Sequence, residues 1–100
     1  DLDACLAQLP ALLEELERRM TRLDSSYRVG KPFVKVKFHD FTQTTMEQAG
    51  AGRDLESYRV LMTSAHARGN RPVRLLGVGV RLQDMRGKHE QLDLFTTLLQ

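Results

Sequence analysis

Lys35, Lys37 and His39 recur at every second residue, with Val34, Val36 and Phe38 between and before them. Successive side chains of an extended chain point to opposite faces. The run therefore predicts a strand over 33–39 with one apolar and one basic face. The next segment, FTQTTMEQ, adds the hydroxyls of Thr42, Thr44 and Thr45. A later run, VRLLGVGVRL, sorts into two alternating sets. One is Arg74, Leu76, Val78, Val80 and Leu82. The other is Leu75, Gly77, Gly79 and Arg81. Lysines, arginines, threonine hydroxyls and strand N–H groups on one face suit phosphate contact, which positions a protein on nucleic acid without reading its sequence. Two glycines on the face of Arg81 predict a place where another backbone can approach closely. A β-bulge is the competing account of the glycines, and a plain solvated face is the competing account of the lysines. Phe33 and Phe41, at strand ends, are expected in the core. That leaves no row of aromatics for base stacking, so duplex backbone binding fits better than base readout.

The second candidate is Gln91-Leu92-Asp93-Leu94-Phe95. Apolar Leu92, Leu94 and Phe95 follow the polar stretch 83–90. Such a pentapeptide on a flexible leash predicts an anchor for a partner's hydrophobic pocket. A short C-terminal helix over 92–99 competes, because Leu92, Phe95, Leu98 and Leu99 have helical spacing.

Catalysis has weaker support. His39, His66 and His89 are scattered and match no metal-ligand spacing. His39 and Asp40 are adjacent, so in a strand they diverge. Gly50-Ala51-Gly52 precedes a helix but lacks the strand and the lysine of a phosphate loop. The lone Cys5 has no internal disulfide partner. It suits a reducing compartment and is expected as a small buried apolar residue.

The 100 residues suit one small domain, with 41% apolar residues for its core. No apolar run is long enough to cross a bilayer. The start, Asp1-Leu2-Asp3, carries no Met and is acidic where a signal peptide is basic, so the chain reads as a fragment. The net charge of +2 is unevenly spread: residues 1–26 carry −3, residues 27–88 carry +7, and residues 89–100 carry −2. The basic middle favours a polyanionic partner.

The elements that must position these residues are legible. Leu6, Leu9, Leu13, Leu16, Met20 and Leu23 predict an amphipathic helix. Asp1 or Asp3 can cap it. Pro10 should kink it or split off Leu2–Gln8. Asp40 allows a bend, and 41–48 is the second arm of a hairpin. Asp54 caps a second helix with the stripe Leu55, Tyr58, Leu61 or Met62, and Ala65. Gly69-Asn70 ends it. The order α-β-β-α-β predicts an α+β fold, with two helices on one face of a small, mainly antiparallel sheet and a flexible C-terminal tail.

The runs GKPFVKVKFHDFTQTTMEQ, VRLLGVGVRL and QLDLF, in this order, resemble the C-terminal "little finger" domain of bacterial Y-family translesion DNA polymerases. QLDLF resembles the bacterial sliding-clamp-binding motif Gln-Leu-x-Leu-Phe. The resemblance covers nearly the whole chain. It implies a parent DNA-directed polymerase that uses two metal ions, with magnesium expected there and no cofactor or catalytic residue in this piece. It implies a little finger over 1–88 and a clamp-binding tail over 89–100, in a cytoplasmic protein. Duplex primer-template DNA would be gripped by Lys35, Lys37, Thr42, Thr44, Thr45, Arg74, Leu75, Gly77, Gly79 and Arg81. Gln91, Leu92, Asp93, Leu94 and Phe95 would enter a cleft of the sliding clamp, the β subunit of DNA polymerase III. No membrane is implied. Two departures stand out: the family's first strand, which precedes its first helix, is absent, and Gly79 stands where relatives often carry Arg. The alternatives are a stand-alone α+β nucleic-acid-binding module with a C-terminal helix, and a pure protein-interaction domain.

Overall fold

The computed structural model describes residues 1–23, 26–48, 52–84 and 92–99. The first helical stretch is two segments, α1 (Leu2–Ala7) and α2 (Leu9–Met20). Asp1 caps α1, its carboxylate accepting from the Ala4 N–H at 2.7 Å. The break falls at Gln8, two residues before Pro10, which has no N–H to continue the ladder. Cys5, Leu9, Leu12 and Leu16 are buried, while Leu6, Leu13 and Met20 flank them. The buried line is thus turned slightly from the predicted stripe. Burial pushes the Cys5 thiol up, as suits a small core residue.

Strand β1 (Tyr27–Phe38) is longer than predicted and turns into β2 (Gln43–Glu47). The two pair antiparallel, from Phe33 opposite Glu47 to Lys37 opposite Gln43. Helix α3 (Leu55–Gly69) is capped by Asp54, whose carboxylate accepts from the Ser57 N–H at 3.0 Å. Hydrogen bonds from Ser57 hold the Asp54 carboxyl below its ordinary range. The helix ends where Asn70 turns left-handed. Gly69 is required by packing, since a Cβ there would lie 2.2 Å from the Phe38 ring.

Strand β3 (Val73–Asp84) pairs antiparallel with β1. Residues 92–99, expected as a tail, form β4 (Leu92–Leu99), which pairs antiparallel along β3. The sheet order is β2-β1-β3-β4. Neither the free tail nor the C-terminal helix is adopted over these residues. Pairing satisfies the β4 backbone on one side and seats Leu94 against the core.

The three helices of the described residues cover one face. Val34, Val36, Phe38, Leu76, Val78 and Val80 meet Tyr58, Leu61, Met62 and Ala65 of α3 and the buried residues of α1 and α2. Leu55, predicted in the α3 stripe, is exposed instead. The Tyr58 hydroxyl donates to the Gly79 carbonyl at 2.9 Å inside this core. Burial pushes its pKa up to about 12. Among the described residues no helix covers the opposite face of the sheet, and Lys35, Lys37 and Arg81 stand there.

Candidate nucleic-acid interface

The outer face is set by strand alternation. Phe33, Lys35 and Lys37 of β1 share it with Thr45 and Glu47 of β2, Gly77, Gly79 and Arg81 of β3, and Asp93, Phe95 and Thr97 of β4. Lys35, Lys37, Thr45, Gly77, Gly79 and Arg81 are therefore brought together as expected. Thr44 is not. One residue from Thr45, it points to the helix side, and its hydroxyl accepts from Arg68 at 3.0 Å. Thr42 lies in the turn before β2. Its hydroxyl donates to Asp40 at 2.6 Å and accepts from Arg71 at 3.4 Å. The predicted threonine row is therefore one outward hydroxyl, one inward hydroxyl and one turn residue.

Arg74 reaches the outer region through an irregularity that simple alternation misses. Phe38 pairs with Val73 and Lys37 with Leu75, so Arg74 is an extra residue on β3. A bulge of this kind re-aims a side chain. Val73 and Leu76 are both buried while Arg74 is exposed, although alternation groups it with Leu76. The strand is bulged, but at Arg74 and not at the glycines.

The glycines do not leave an open approach. Gly77 and Gly79 are both buried. Phe33 lies over Gly79: an added Cβ would meet its ring at 2.3 Å and the Leu94 carbonyl at 2.6 Å. A Cβ on Gly77 would meet the Thr97 methyl at 3.2 Å. The space expected for a partner's backbone is filled by this chain's own side chains. Phe33, expected in the core among the helices, is only 2% exposed but is buried on the outer face. Its centroid is 6.4 Å from that of Phe95, and the Arg81 guanidinium lies 4.4 Å above its ring.

Charge on this face is correspondingly uneven. Arg81 donates to Glu47 at 3.1 Å and to Asp93 at 2.8 Å. The Asp93 contact, aided by Glu47, pushes the guanidinium further up. Lys35 lies over the Phe95 ring at 5.2 Å. Lys37 and Arg74 both lie over the ring of Phe41, at 5.4 and 4.8 Å. Among the described residues neither of these two cations is ion-paired with a carboxylate. Phe41, expected in the core, is 61% exposed. Its φ of 69° places a bulky residue in the left-handed region, at an expected cost on the order of 1–3 kcal/mol.

Within QLDLF, Gln91 lies outside the described residues. Leu92 begins β4, opposite Leu82. Asp93 is bound to Arg81, Leu94 is half-buried, and Phe95 is 41% exposed. The Phe95 carbonyl accepts from Arg19 at the end of α2 at 3.1 Å. This bond covers part of an edge that would otherwise offer open pairing groups. Among the described residues no group of three or more His, Cys, Asp or Glu is placed to hold a metal ion. No helix among them is long and apolar enough to cross a membrane.

The chain belongs to the impB/mucB/samB family: the family's C-terminal domain matches residues 1–94. It is 74% identical over 95 residues to the DNA polymerase IV of Ectopseudomonas mendocina, covering 95% of this chain and 27% of that protein. The DNA polymerase IV of Pseudomonas putida matches to the same identity and coverage. That of Pseudomonas syringae pv. tomato is 70% identical over 97 residues, covering 97% of this chain and 28% of that protein. The chain thus spans about a quarter of the length of the curated relatives it matches. No solved structure matches it. The resemblance to a Y-family C-terminal domain is borne out.

Proposed function

We propose that this chain is the DNA-gripping C-terminal domain of a translesion DNA polymerase, contributing no catalytic group of its own. The observation that carries the proposal is the outer sheet face, which no helix covers among the described residues, and where Lys37 and Arg74 stand beside Lys35 and Thr45 with no carboxylate partner among those residues. Cations left unneutralised on an open face are suited to phosphates, and release of the counterions that phosphates hold drives association. The kinship to DNA polymerase IV supplies the class of partner. The metal-dependent nucleotide transfer, with magnesium, belongs in this reading to the parts of the parent that precede this domain. Duplex affinity measured by fluorescence anisotropy at several salt concentrations tests the proposal. Affinity should fall steeply as salt rises, and Lys35→Ala with Lys37→Ala should flatten the dependence. A salt-independent or absent affinity would overturn it.

A second reading concerns β4. QLDLF matches a sliding-clamp-binding pattern, and Phe95 is an exposed apolar side chain within it. To enter a cleft as a free peptide, the segment must leave β3 and give up the Arg81–Asp93 and Arg19–Phe95 contacts. We expect clamp affinity in the micromolar range, on the order of −8 kcal/mol. It should disappear with Leu94→Ala plus Phe95→Ala. Binding that survives both changes would sink this reading.

A further inference from the structure

The turn between β1 and β2 presents a ring that phosphate contact leaves unused. Phe41 sits at positive φ, a backbone that bulky residues rarely adopt. The turn around it is tied down. The Phe41 N–H donates to the Phe38 carbonyl at 2.9 Å, and the Phe38 N–H donates to the Thr42 carbonyl at 2.8 Å. The Asp40 carboxylate accepts from the Thr42 amide at 3.1 Å and its hydroxyl at 2.6 Å, and it pairs with Arg71 at 2.8 Å. These bonds hold Phe41 outward, so the strained backbone is not repaid by burying the ring.

What lies beside the ring narrows its partner. Lys37 and Arg74 stand on it, unpaired with carboxylates among the described residues. A neutral apolar partner would have to strip water from both cations without compensation. A polyanion with flat apolar groups would satisfy cations and ring together. In a duplex the base faces are stacked and closed; in a single strand they are available. An aromatic for the base with cations for the adjoining backbone is the usual composition of a single-strand site.

We propose that Phe41 stacks on an unpaired base of single-stranded DNA while Lys37 and Arg74 hold the phosphates on either side of it. The proposal rests on the reading of this face as a DNA-binding surface, and it adds a contact specific for unpaired DNA. The test compares the affinity of the whole chain for a labelled oligothymidylate and for a duplex of equal length. Phe41→Ala and Phe41→Gly should weaken oligothymidylate binding roughly tenfold, the worth of one stacked base. Phe41→Trp should retain it. None of the three should change duplex affinity. Phe41→Gly also removes the positive-φ penalty. Its thermal midpoint should therefore hold or rise while single-strand affinity falls, which loss of fold cannot produce. Unchanged oligothymidylate binding in Phe41→Gly, or equal weakening on both probes, overturns the proposal while leaving duplex gripping intact. Wild-type protein that binds neither probe overturns both.

Discussion

The two ends of the outer sheet face use the same residue types to opposite effect. At one end Arg81 lies over Phe33, with strands on either side supplying a carboxylate, Glu47 from β2 and Asp93 from β4. At the other end Lys37 and Arg74 lie over Phe41, and no carboxylate among the described residues pairs with them. Phe33 is buried beneath its cation, whereas Phe41 is exposed beside its two. A cation over an aromatic ring is thus a closing device at the first end and an open one at the second. The difference lies in what completes the shell. An arginine with two carboxylates has its charge spent inside the molecule. A lysine and an arginine that share a ring, with no carboxylate beside them among the described residues, keep theirs for a partner.

The contrast is easiest to break at the closed end. Phe33→Ala removes a ring that is buried on Gly79, and it should cost about 3–5 kcal/mol in urea unfolding. A cost below about 1 kcal/mol, the range of ordinary surface changes, would mean that this end is as open as the other. Gly79→Ala overfills the same place against the Phe33 ring and the Leu94 carbonyl. About 1–3 kcal/mol of destabilisation should follow. The loss should shrink in a Phe33→Ala background, where the ring no longer competes for the space, but the backbone carbonyl will keep it from vanishing.

The third prediction compares the cations directly. Lys37→Gln with Arg74→Gln should lower the logarithmic salt slope of duplex binding by about two, near one unit for each phosphate no longer neutralised. Arg81→Gln should leave that slope unchanged. If it lowers the slope as a single lysine change does, the charge of Arg81 is not spent on Glu47 and Asp93. The stability effect of Arg81→Gln should be small, about 1 kcal/mol or less, because the triad is partly exposed to solvent.

The smallest effect concerns acid. Hydrogen bonds from the Thr42 hydroxyl and amide, and the nearby Arg71, hold the Asp40 carboxyl below its ordinary value of 3.8. A depressed carboxylate stabilises the folded state fully above its unfolded pKa, and the contribution is lost as pH falls through the lower folded value. The open end should therefore loosen below about pH 4. A lower protection factor at the Thr42 amide in that range, its exchange rate taken relative to the intrinsic rate at the same pH, would report it. Asp40→Asn should remove the pH dependence of that protection factor.

Local order was largely written in the chain, and the reason is that its causes are local. Asp1 and Asp54 can cap because an N-terminal turn has unsatisfied N–H groups within reach of the preceding side chain. Pro10 splits the first helix through its missing donor, and Asn70 ends the third by tolerating a left-handed backbone. The apolar face of β1 followed from alternation alone, through Val34, Val36 and Phe38. Alternation also bore on the threonines, since Thr44 and Thr45 as neighbours in a strand cannot share a face. The family, too, was legible, through the order of three runs.

Tertiary structure decided the rest. In LDLFTTLL, Leu92, Leu94, Thr96 and Leu98 alternate with Asp93, Phe95, Thr97 and Leu99, but Leu92, Phe95, Leu98 and Leu99 also fit a helix. Eight residues support either period. Only the open edge of β3 selects the strand, because pairing there satisfies the backbone over its length. The bulge at Arg74 is a mismatch between two strands far apart in the chain, and neither strand encodes it alone. Gly79 looks like an opening because its own strand has no side chain there, and it is closed by Phe33 from the strand beside it. Residue order along the chain is enough to say which residues are basic, aromatic and strand-forming. Which of those cations remain free was decided by neighbours across the sheet, because neutralisation depends on distance in space and not on distance along the chain.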